Sequence, residues 1–594
     1  VPTRDGDSLQ ADVYIPDNVT VGEVILIQTP YNKNNFTQGL PLGVRQDLDD
    51  YPYIWVIVDW RGFYGSGNAD LSDFDRGEDA YDVCEWISQQ SWFGSKIGTW
   101  GPSALGVVQY NMMSEMHPNH TCAVPQVATG RQAYRSYFYG GVLEEARLNQ
   151  LDALGYGLSP IILANTYDSN VWTFSENNSQ FEADITIPTL QIGGWYDHAI
   201  DEMMRFYKNS RSMAAVNVQD EQWLLVGPWV HGGTGAAYVG STVQGELTYP
   251  NATFKSDTMA MNFFDHYLLG QNNGWENTDK ITYYNLGENA WEYSDDDDIA
   301  ISNNELLYLT AAKGIGELGT DGDETITVDP TSPSPTIGGA TLSQSLVQGP
   351  LDQSALDGRN DVVSFTSVGL EEDIQFTGRI EAKIYLSSDQ PDGDVVLRLV
   401  DLYPDGRKML ITDGIHRLRF RNGAYTQNDE VFMTPGQVES VTVTLPFTNY
   451  TFKAGHKIMV YISGNSSSRW NVNLQNGGTM YQAGDSLVAS MNIHYGTNYP
   501  SHLSIPTTNS SLSIPEKNAF HFDIFPNPAK EKLNIESKTA CRVELYDLTG
   551  KPVGTSHKMS ETHQIDLSKL NPGVYVVRAW NEKENVTTRK IVVQ

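Results

Sequence analysis

Apolar residues in the first third of the chain fall into short β-branched runs separated by amphipathic stretches. Val24–Gln28 (VILIQ) and Tyr53–Val58 (YIWVIV) are apolar at consecutive positions, the pattern of strands buried on both faces. Residues 76–90 carry apolar residues at helical spacing, 96–100 read as a strand, and 104–116 as a further helix. Residues 189–193 and 223–226 supply later strands, and 257–269 (DTMAMNFFDHYLL) a closing helix. Alternating strands and helices predict an α/β fold, a parallel sheet with helices on both faces. Residues 131–185, rich in Tyr, Leu and Asn, break this rhythm. They predict a mostly helical cap over the carboxyl ends of the strands, where open α/β sheets place their sites.

From about Asp279 the pattern changes to strands. RIEAKIYLSSD, VVLRLVDLYPDGRKMLITDG and ESVTVTLPF are strand-like runs separated by Gly, Asp and Pro turns. They predict an all-β jelly roll over 279–500, following an α/β unit over 1–278. A Ser/Thr/Pro-rich stretch, 501–519, reads as a linker. Residues 520–594 form a separate small β unit with strands such as RVELYDL and VYVVRAW.

Several domains are what 594 residues predict. The net charge of −34, from 39 basic and 73 acidic residues, argues against nucleic acid, which needs a basic footprint. An acidic surface of this kind serves solubility. No run of about 18 apolar residues occurs, so no membrane span is expected. The opening VPTRDGDSLQADVYIP lacks an initiator Met, a charged start and an apolar run, and reads as a mature form. The run Asp295–Asp298 lacks the Gly-punctuated spacing of a calcium loop and reads as a solvated turn. Cys84, Cys122 and Cys541 are widely spaced, with no CxxC, and predict neither a metal site nor a disulfide framework.

The sharpest local feature is GTWGPSALG, Gly98 to Gly106. It runs strand, then Gly101-Pro102-Ser103, then helix. A nucleophile at such a turn stands at the strand tip with its hydroxyl exposed, beside a helix N-terminus that favours developing negative charge. The second Gly of the usual G-x-S-x-G elbow falls one place late, at Gly106. Two partners follow in the order Ser, acid, His. GGWYDHAID places Asp197 just beyond one strand, and LLVGPWVHGG places His231 just beyond the next. Both are loops at strand carboxyl ends, able to converge on Ser103. Tyr196, His198 and Trp229 flank them and are expected at the substrate pocket.

Over residues 1–498 the sequence resembles the cocaine esterase/X-Pro dipeptidyl-peptidase family of serine hydrolases. The marks are VPTRDGDSLQADVYIP, PYNKNNF, VDWRGFYGSGN, EDAYDVCEWISQQSWFGSKIGTWGPSALG, GWYDHAID and VGPWVHGG. GPLDQSALDGRNDVVSFTS and VLRLVDLYPDGRKMLITDGIHRLRFR resemble the family's C-terminal, galactose-binding-like jelly roll. The resemblance implies an α/β-hydrolase fold with Ser103, Asp197 and His231 as triad. It also implies an oxyanion hole of the Ala104 N–H and the Tyr31 hydroxyl. Three positions depart from the family. Ala104 stands where Tyr is usual, which alters the pocket wall but keeps the N–H. Ala199 stands where cocaine esterase-like members carry an aromatic, which disfavours cocaine-like esters. Ala199 and Ile200 stand where α-amino acid ester hydrolases carry acids, and Asp201 is one step too far. The last unit, with FDIFPNPAKEKLNI, VELYDLTGKPV and DLSKLNPGVYVVRA, resembles the sorting domain of the type IX secretion system of Bacteroidetes-type bacteria. It implies that machinery as partner, and release or attachment at the outer-membrane surface.

The expected activity is hydrolysis of an ester or amide through an acyl-enzyme, with no metal or organic cofactor. A small-molecule esterase or acylase is the first reading. An X-Pro dipeptidyl-peptidase is the second, and needs an amine anchor from the cap, for which Glu144 and Glu145 are the candidates. A surface binding protein without activity is the third. The sequence leaves the oligomeric state open.

Overall fold

The computed structural model describes residues 1–36, 51–232, 241–253, 255–343, 345–508, 522–547, 551–581 and 586–594. Its backbone divides into two compact units, Val1–Leu512 and Ser513–Gln594.

The first unit is built on a nine-stranded sheet. Its strands are β1 (Ala11–Tyr14), β2 (Gly22–Thr29), β3 (Ile54–Asp59), β4 (Phe93–Pro102), β5 (His120–Gln126), β6 (Thr189–Tyr196), β7 (Gln222–Val230), β8 (Ile281–Asn285) and β9 (Ala290–Ser294). They lie in the order β1-β3-β2-β4-β5-β6-β7-β8-β9. The pairs from β3 to β8 are parallel, and only the edges β1 and β9 run antiparallel. The apolar runs sit at the centre because both faces of a parallel sheet are covered by helices. The flanking helices are α1 (Arg76–Ser88), α2 (Ala104–Ser114), α6 (Ile200–Met213) and α7 (Lys255–Tyr267). Asp75 caps α1 by accepting from the N–H groups of Gly77 and Glu78. Trp55, Trp100, Leu190, Leu225 and Phe264 belong to one buried cluster under α7. This is the layered α/β architecture that the alternating pattern predicts, and of the α/β-hydrolase kind that the resemblance implies.

The cap, 131–185, holds three short helices, α3 (Glu145–Ala153), α4 (Ser159–Ala164) and α5 (Asn170–Asn177), and a two-residue hairpin. It is tied to the β domain behind it. Arg469 bridges Glu144 of the cap and Asp413, at 3.0 and 2.8 Å, and the Tyr139 hydroxyl donates to the Thr444 carbonyl.

That β domain is an eleven-stranded sheet curled into a sandwich-like roll, with Phe365, Ile384, Leu397 and Ile462 among its buried residues. Buried ion pairs, Arg417–Asp394 and Arg419–Asp392, fix one end. Two expected boundaries move. β8 and β9 lie beyond position 278 yet extend the hydrolase sheet, because Ile281, Thr282 and Tyr283 pair in parallel with β7. At the other end, His502–Pro506, expected in the linker, is a strand paired to Asn304–Thr310 and Glu381–Ser388. The remainder of the expected linker past 508 lies outside the described residues. The second unit is a five-stranded antiparallel sheet around Leu533, Ile535, Val543, Leu545, Val577 and Ile591. All three cysteines are buried and free. No helix among the described residues is long and apolar enough to cross a membrane.

Candidate active site

Ser103 stands at the turn from β4 into α2, with φ 56° and ψ −123°. A non-glycine residue in that region is strained and persists only where its surroundings over-determine it. Here the Ser103 N–H donates to the Gln126 carbonyl of β5 at 2.9 Å. Two glycines make the turn sterically possible. A Cβ on Gly101, at φ +147°, would meet the Leu105 Cβ at 2.5 Å, and one on Gly106 would meet the Ala128 Cβ at 2.6 Å. Gly106 therefore lets α2 pass close to the chain leaving β5, and does so one place later than the usual motif.

Asp197 and His231 leave the ends of β6 and β7. The Ser103 hydroxyl and His231 Nε2 are 2.9 Å apart, and His231 Nδ1 and Asp197 Oδ2 are 2.6 Å apart. The other Asp197 oxygen accepts from the Ala199 N–H at 2.6 Å. Asp197 is wholly buried and His231 nearly so. A carboxylate facing Nδ1 keeps the proton there and leaves Nε2 to accept from the serine.

Tyr31 follows β2 and is partly buried against the core. Its N–H donates to Thr29 Oγ1 at 2.9 Å, and the Asn35 amide donates to its carbonyl at 2.6 Å. Burial pushes its phenol upward, opposed by the hydroxyls of Tyr156 and Ser103 beside it. The Ala104 N–H opens α2, where helix donors lack intrahelical acceptors.

Tyr31, Ser103, Ala104 and His231 line a cavity of about 300 Å³. Trp60, Val107, Tyr137, Leu151 and Leu158 make its walls apolar, and Arg76 and Arg147 are its cations. The described residues lining it include no carboxylate. Burial lowers the Arg76 guanidinium to about 10, and the group stacks on Trp60 and Phe74. An adjoining cavity of about 500 Å³ shares Thr129, Arg147, His198 and Ala199 with the first.

Of the three flanking residues, only His198 reaches the cavity. Its ring lies 4.7 Å from that of His231, and burial pushes it well below the ordinary histidine range. Tyr196 and Trp229 do not line it, a correction to the sequence reading. Both are still within strands, so their side chains enter the packed interior. The Tyr196 hydroxyl meets that of Tyr249 at 3.1 Å, and the fully buried Trp229 packs on Trp291. Asp201 pairs with Arg379 and accepts from the Phe447 N–H. Glu144 faces the adjoining cavity and is held by Arg469. Asp297 and Asp298 pair with Arg211 and Lys208. Asp197, His198 and His231 offer donor atoms within 4.8 Å of one another. A metal ion there would displace the His231 Nδ1 proton from its 2.6 Å bond, so this donor set suits a proton relay better.

Sequence reasoning missed Tyr156, Arg76 and Arg147. Gly155-Tyr156-Gly157 was the available signal for the first. The arginines carried none, since surface arginines on helices look the same.

A hydroxyl facing the free imidazole nitrogen, at a strained strand-to-helix turn of such a sheet, is the arrangement on which serine hydrolases work, and this chain is of that class. Residues 5–161 match the X-Pro dipeptidyl-peptidase (S15 family) model. Residues 273–504 match that of the X-Pro dipeptidyl-peptidase C-terminal non-catalytic domain. Residues 523–594 match the secretion system C-terminal sorting domain. The chain is 27% identical over 569 residues to the cocaine esterase of Rhodococcus sp. (strain MB1 Bresler), covering 85% of this chain and 97% of the relative. In fold it is similar to an aminopeptidase from a marine sediment Thaumarchaeota archaeon (TM-score 0.72, 20% identity, 85% and 95% of the two chains). It is also similar in fold to an α-amino acid ester hydrolase (TM-score 0.70, 23% identity, 85% and 95%). Together these likenesses make the chain a serine hydrolase of the cocaine esterase type, with X-Pro dipeptidyl-peptidase family models matching its two larger parts and a type IX secretion sorting domain at its end. That domain points to a secreted or cell-surface protein of Bacteroidetes.

Proposed function

We propose that the chain is an esterase or acylase for small substrates, with Ser103 as nucleophile, His231 as base and Asp197 as the group that orients the base. The continuous Asp197–His231–Ser103 chain of hydrogen bonds, opening on an apolar cavity, carries this reading. His231 takes the Ser103 proton as Oγ attacks the acyl carbonyl. The Tyr31 hydroxyl and the Ala104 N–H receive the oxyanion. His231 then protonates the leaving group, and water, activated by the same imidazole, releases the acid. No step calls for a metal or organic cofactor.

The cavity's charge favours this over X-Pro dipeptidyl-peptidase activity. A free N-terminal ammonium needs an anion, and the two guanidiniums that line the cavity repel such an ammonium. Of the two expected anchors, Glu144 is held by Arg469, and Glu145 accepts from the Asn471 amide. The loss of activity that a pure binding protein implies is disfavoured by the unbroken relay. The family model at the amino end keeps the peptidase as the second reading. Export through the type IX machinery, then release or attachment at the outer-membrane surface, completes the proposal. Two assays test it. A fluorophosphonate probe should label Ser103 and not a Ser103→Ala chain, and p-nitrophenyl esters should be cleaved far faster than Ala-Pro or Gly-Pro anilides. Faster anilide cleavage makes it a peptidase, and an unlabelled wild type removes the hydrolase assignment to Ser103.

A further inference from the structure

The turn between α3 and α4 reads Gly155-Tyr156-Gly157. Both glycines are left-handed, at φ +93° and +62°, conformations that a side chain would strain. The turn is fastened by the Tyr156 N–H, which donates to the Leu151 carbonyl at 3.2 Å. It presents one side chain, whose ring lines the catalytic cavity with its centroid 6.1 Å from that of Phe63. The Tyr156 hydroxyl is buried with no close hydrogen-bond partner, and the Tyr31 hydroxyl is the group near enough to interact with it. A buried hydroxyl left so is costly unless a partner comes within reach. The Tyr31 hydroxyl and the Arg76 guanidinium line the same cavity and act on the Tyr156 hydroxyl electrostatically, and the Tyr31 hydroxyl in turn lies beside Ser103.

We infer that Tyr156 is a positioning residue of the oxyanion hole, closing a hydrogen bond from its Oη–H to Tyr31 Oη as substrate binds, so that the Tyr31 proton is turned toward the oxyanion. The inference rests on the oxyanion role given to Tyr31 above. A phenol has one proton and can accept as well as donate. With Tyr156 donating to the Tyr31 oxygen, and the Ser103 oxygen committed to the acyl carbon during attack, the Tyr31 proton is left to meet the substrate oxygen. An O–H whose oxygen accepts a hydrogen bond is also the stronger donor. Arg76 fixes the direction of the relay. Its cation draws the Tyr156 oxygen and turns the Tyr156 proton away, toward Tyr31. That charge is held by aromatic faces, Trp60 at 4.4 Å and Phe74 at 4.8 Å, and by the Arg61 carbonyl, with no ion pair among the described residues. The catalytic bonds of an unliganded hydrolase are often loose and tighten with substrate, which fits a Tyr156 hydroxyl that is near Tyr31 and only loosely engaged with it. The cap thereby contributes to the chemistry as well as to the wall of the cavity.

A kinetic double-mutant cycle on the full chain with p-nitrophenyl butyrate tests this, using Tyr156→Phe and Tyr31→Phe singly and together. Tyr156→Phe should lower kcat about five- to tenfold, leave KM within about twofold, and slow fluorophosphonate labelling of Ser103 in proportion. In the Tyr31→Phe background the same substitution should change kcat by less than about twofold. Equal losses in both backgrounds would mean that Tyr156 acts on substrate directly, and would overturn the relay. A raised KM at unchanged kcat would overturn it too, since that is the mark of packing. Should Tyr156→Phe fail to fold, Arg76→Gln takes its place in the cycle. It should lower kcat about threefold with Tyr31 present and not at all with Phe there, and equal effects would again overturn the relay. If Tyr31→Phe alone costs nothing, the oxyanion role of Tyr31 fails first. If it costs its full share and the second substitution is additive, only the relay fails.

Discussion

Asp197→Asn removes one charge and almost no volume, and its effect can be worked from two distances. In the native site the carboxylate divides its oxygens, one accepting from His231 Nδ1 at 2.6 Å and the other from the Ala199 N–H at 2.6 Å. Asparagine has a single carbonyl oxygen to serve both. Turned toward His231, it leaves its NH₂ against the Ala199 N–H, two buried donors face to face, at a cost of roughly 1–3 kcal/mol. Turned toward Ala199, it presents an N–H to Nδ1 and costs no such clash. The second orientation wins, and it forces the imidazole proton onto Nε2. That nitrogen can then no longer accept from Ser103. Loss of the correct tautomer costs about 10⁴ in kcat, or ~5.5 kcal/mol of barrier. The measurement is kcat on p-nitrophenyl butyrate at about pH 8, corrected for active protein, beside a thermal melt that should move little. A well-folded Asp197→Asn chain within tenfold of wild type would refute the orienting role.

Tyr31→Phe should lower kcat by about 10²–10³-fold with little change in KM, because an oxyanion donor acts where charge develops; initial rates across substrate concentrations separate the two constants. Asp257 in α7 is buried, and desolvation lifts its carboxyl to about 7. The folded state therefore keeps a proton that the unfolded chain has lost between about pH 4 and pH 7, and stability falls as pH rises through that window, by at most ~4 kcal/mol. Asp257→Asn should melt with wild type near pH 4 and above it near pH 8, and coincident melts at the higher pH would count against the shift. Truncation after Asn518 should leave ester hydrolysis unchanged and hold the protein in the periplasm of its host; normal secretion of the shortened chain would end the sorting reading.

How much was legible beforehand differs by element. The β2, β3 and β7 runs are apolar at successive positions because both their faces are covered, and that pattern survives without coordinates. Ser103, Asp197 and His231 sit beside strand ends, and chain order alone suggested that they converge. Their spacing as 2.9 and 2.6 Å bonds came from the register of parallel strands, which no local pattern encodes. The same register decided against Tyr196 and Trp229. At the last residue of a strand or the one before it, as for Tyr196 and Trp229, the side chain enters the interior, and just after the end a side chain faces the cavity.

The sequence by itself determined the layered α/β unit, the β roll, the small terminal unit and the glycines that permit the Ser103 turn, because each follows from short-range periodicity or local sterics. Tertiary structure alone decided that β8 and β9 complete the hydrolase sheet and that His502–Pro506 belongs to the roll, because strand pairing joins segments far apart in the chain. It alone decided which charges meet. Glu144 finds Arg469, 325 residues away, and Asp201 finds Arg379 and the Phe447 N–H. Arg76, at the start of an ordinary amphipathic helix, forms no ion pair among the described residues and faces the catalytic cavity with Tyr156. A charge's partner is set by folding geometry, since Coulomb attraction acts through space and is blind to distance along the chain.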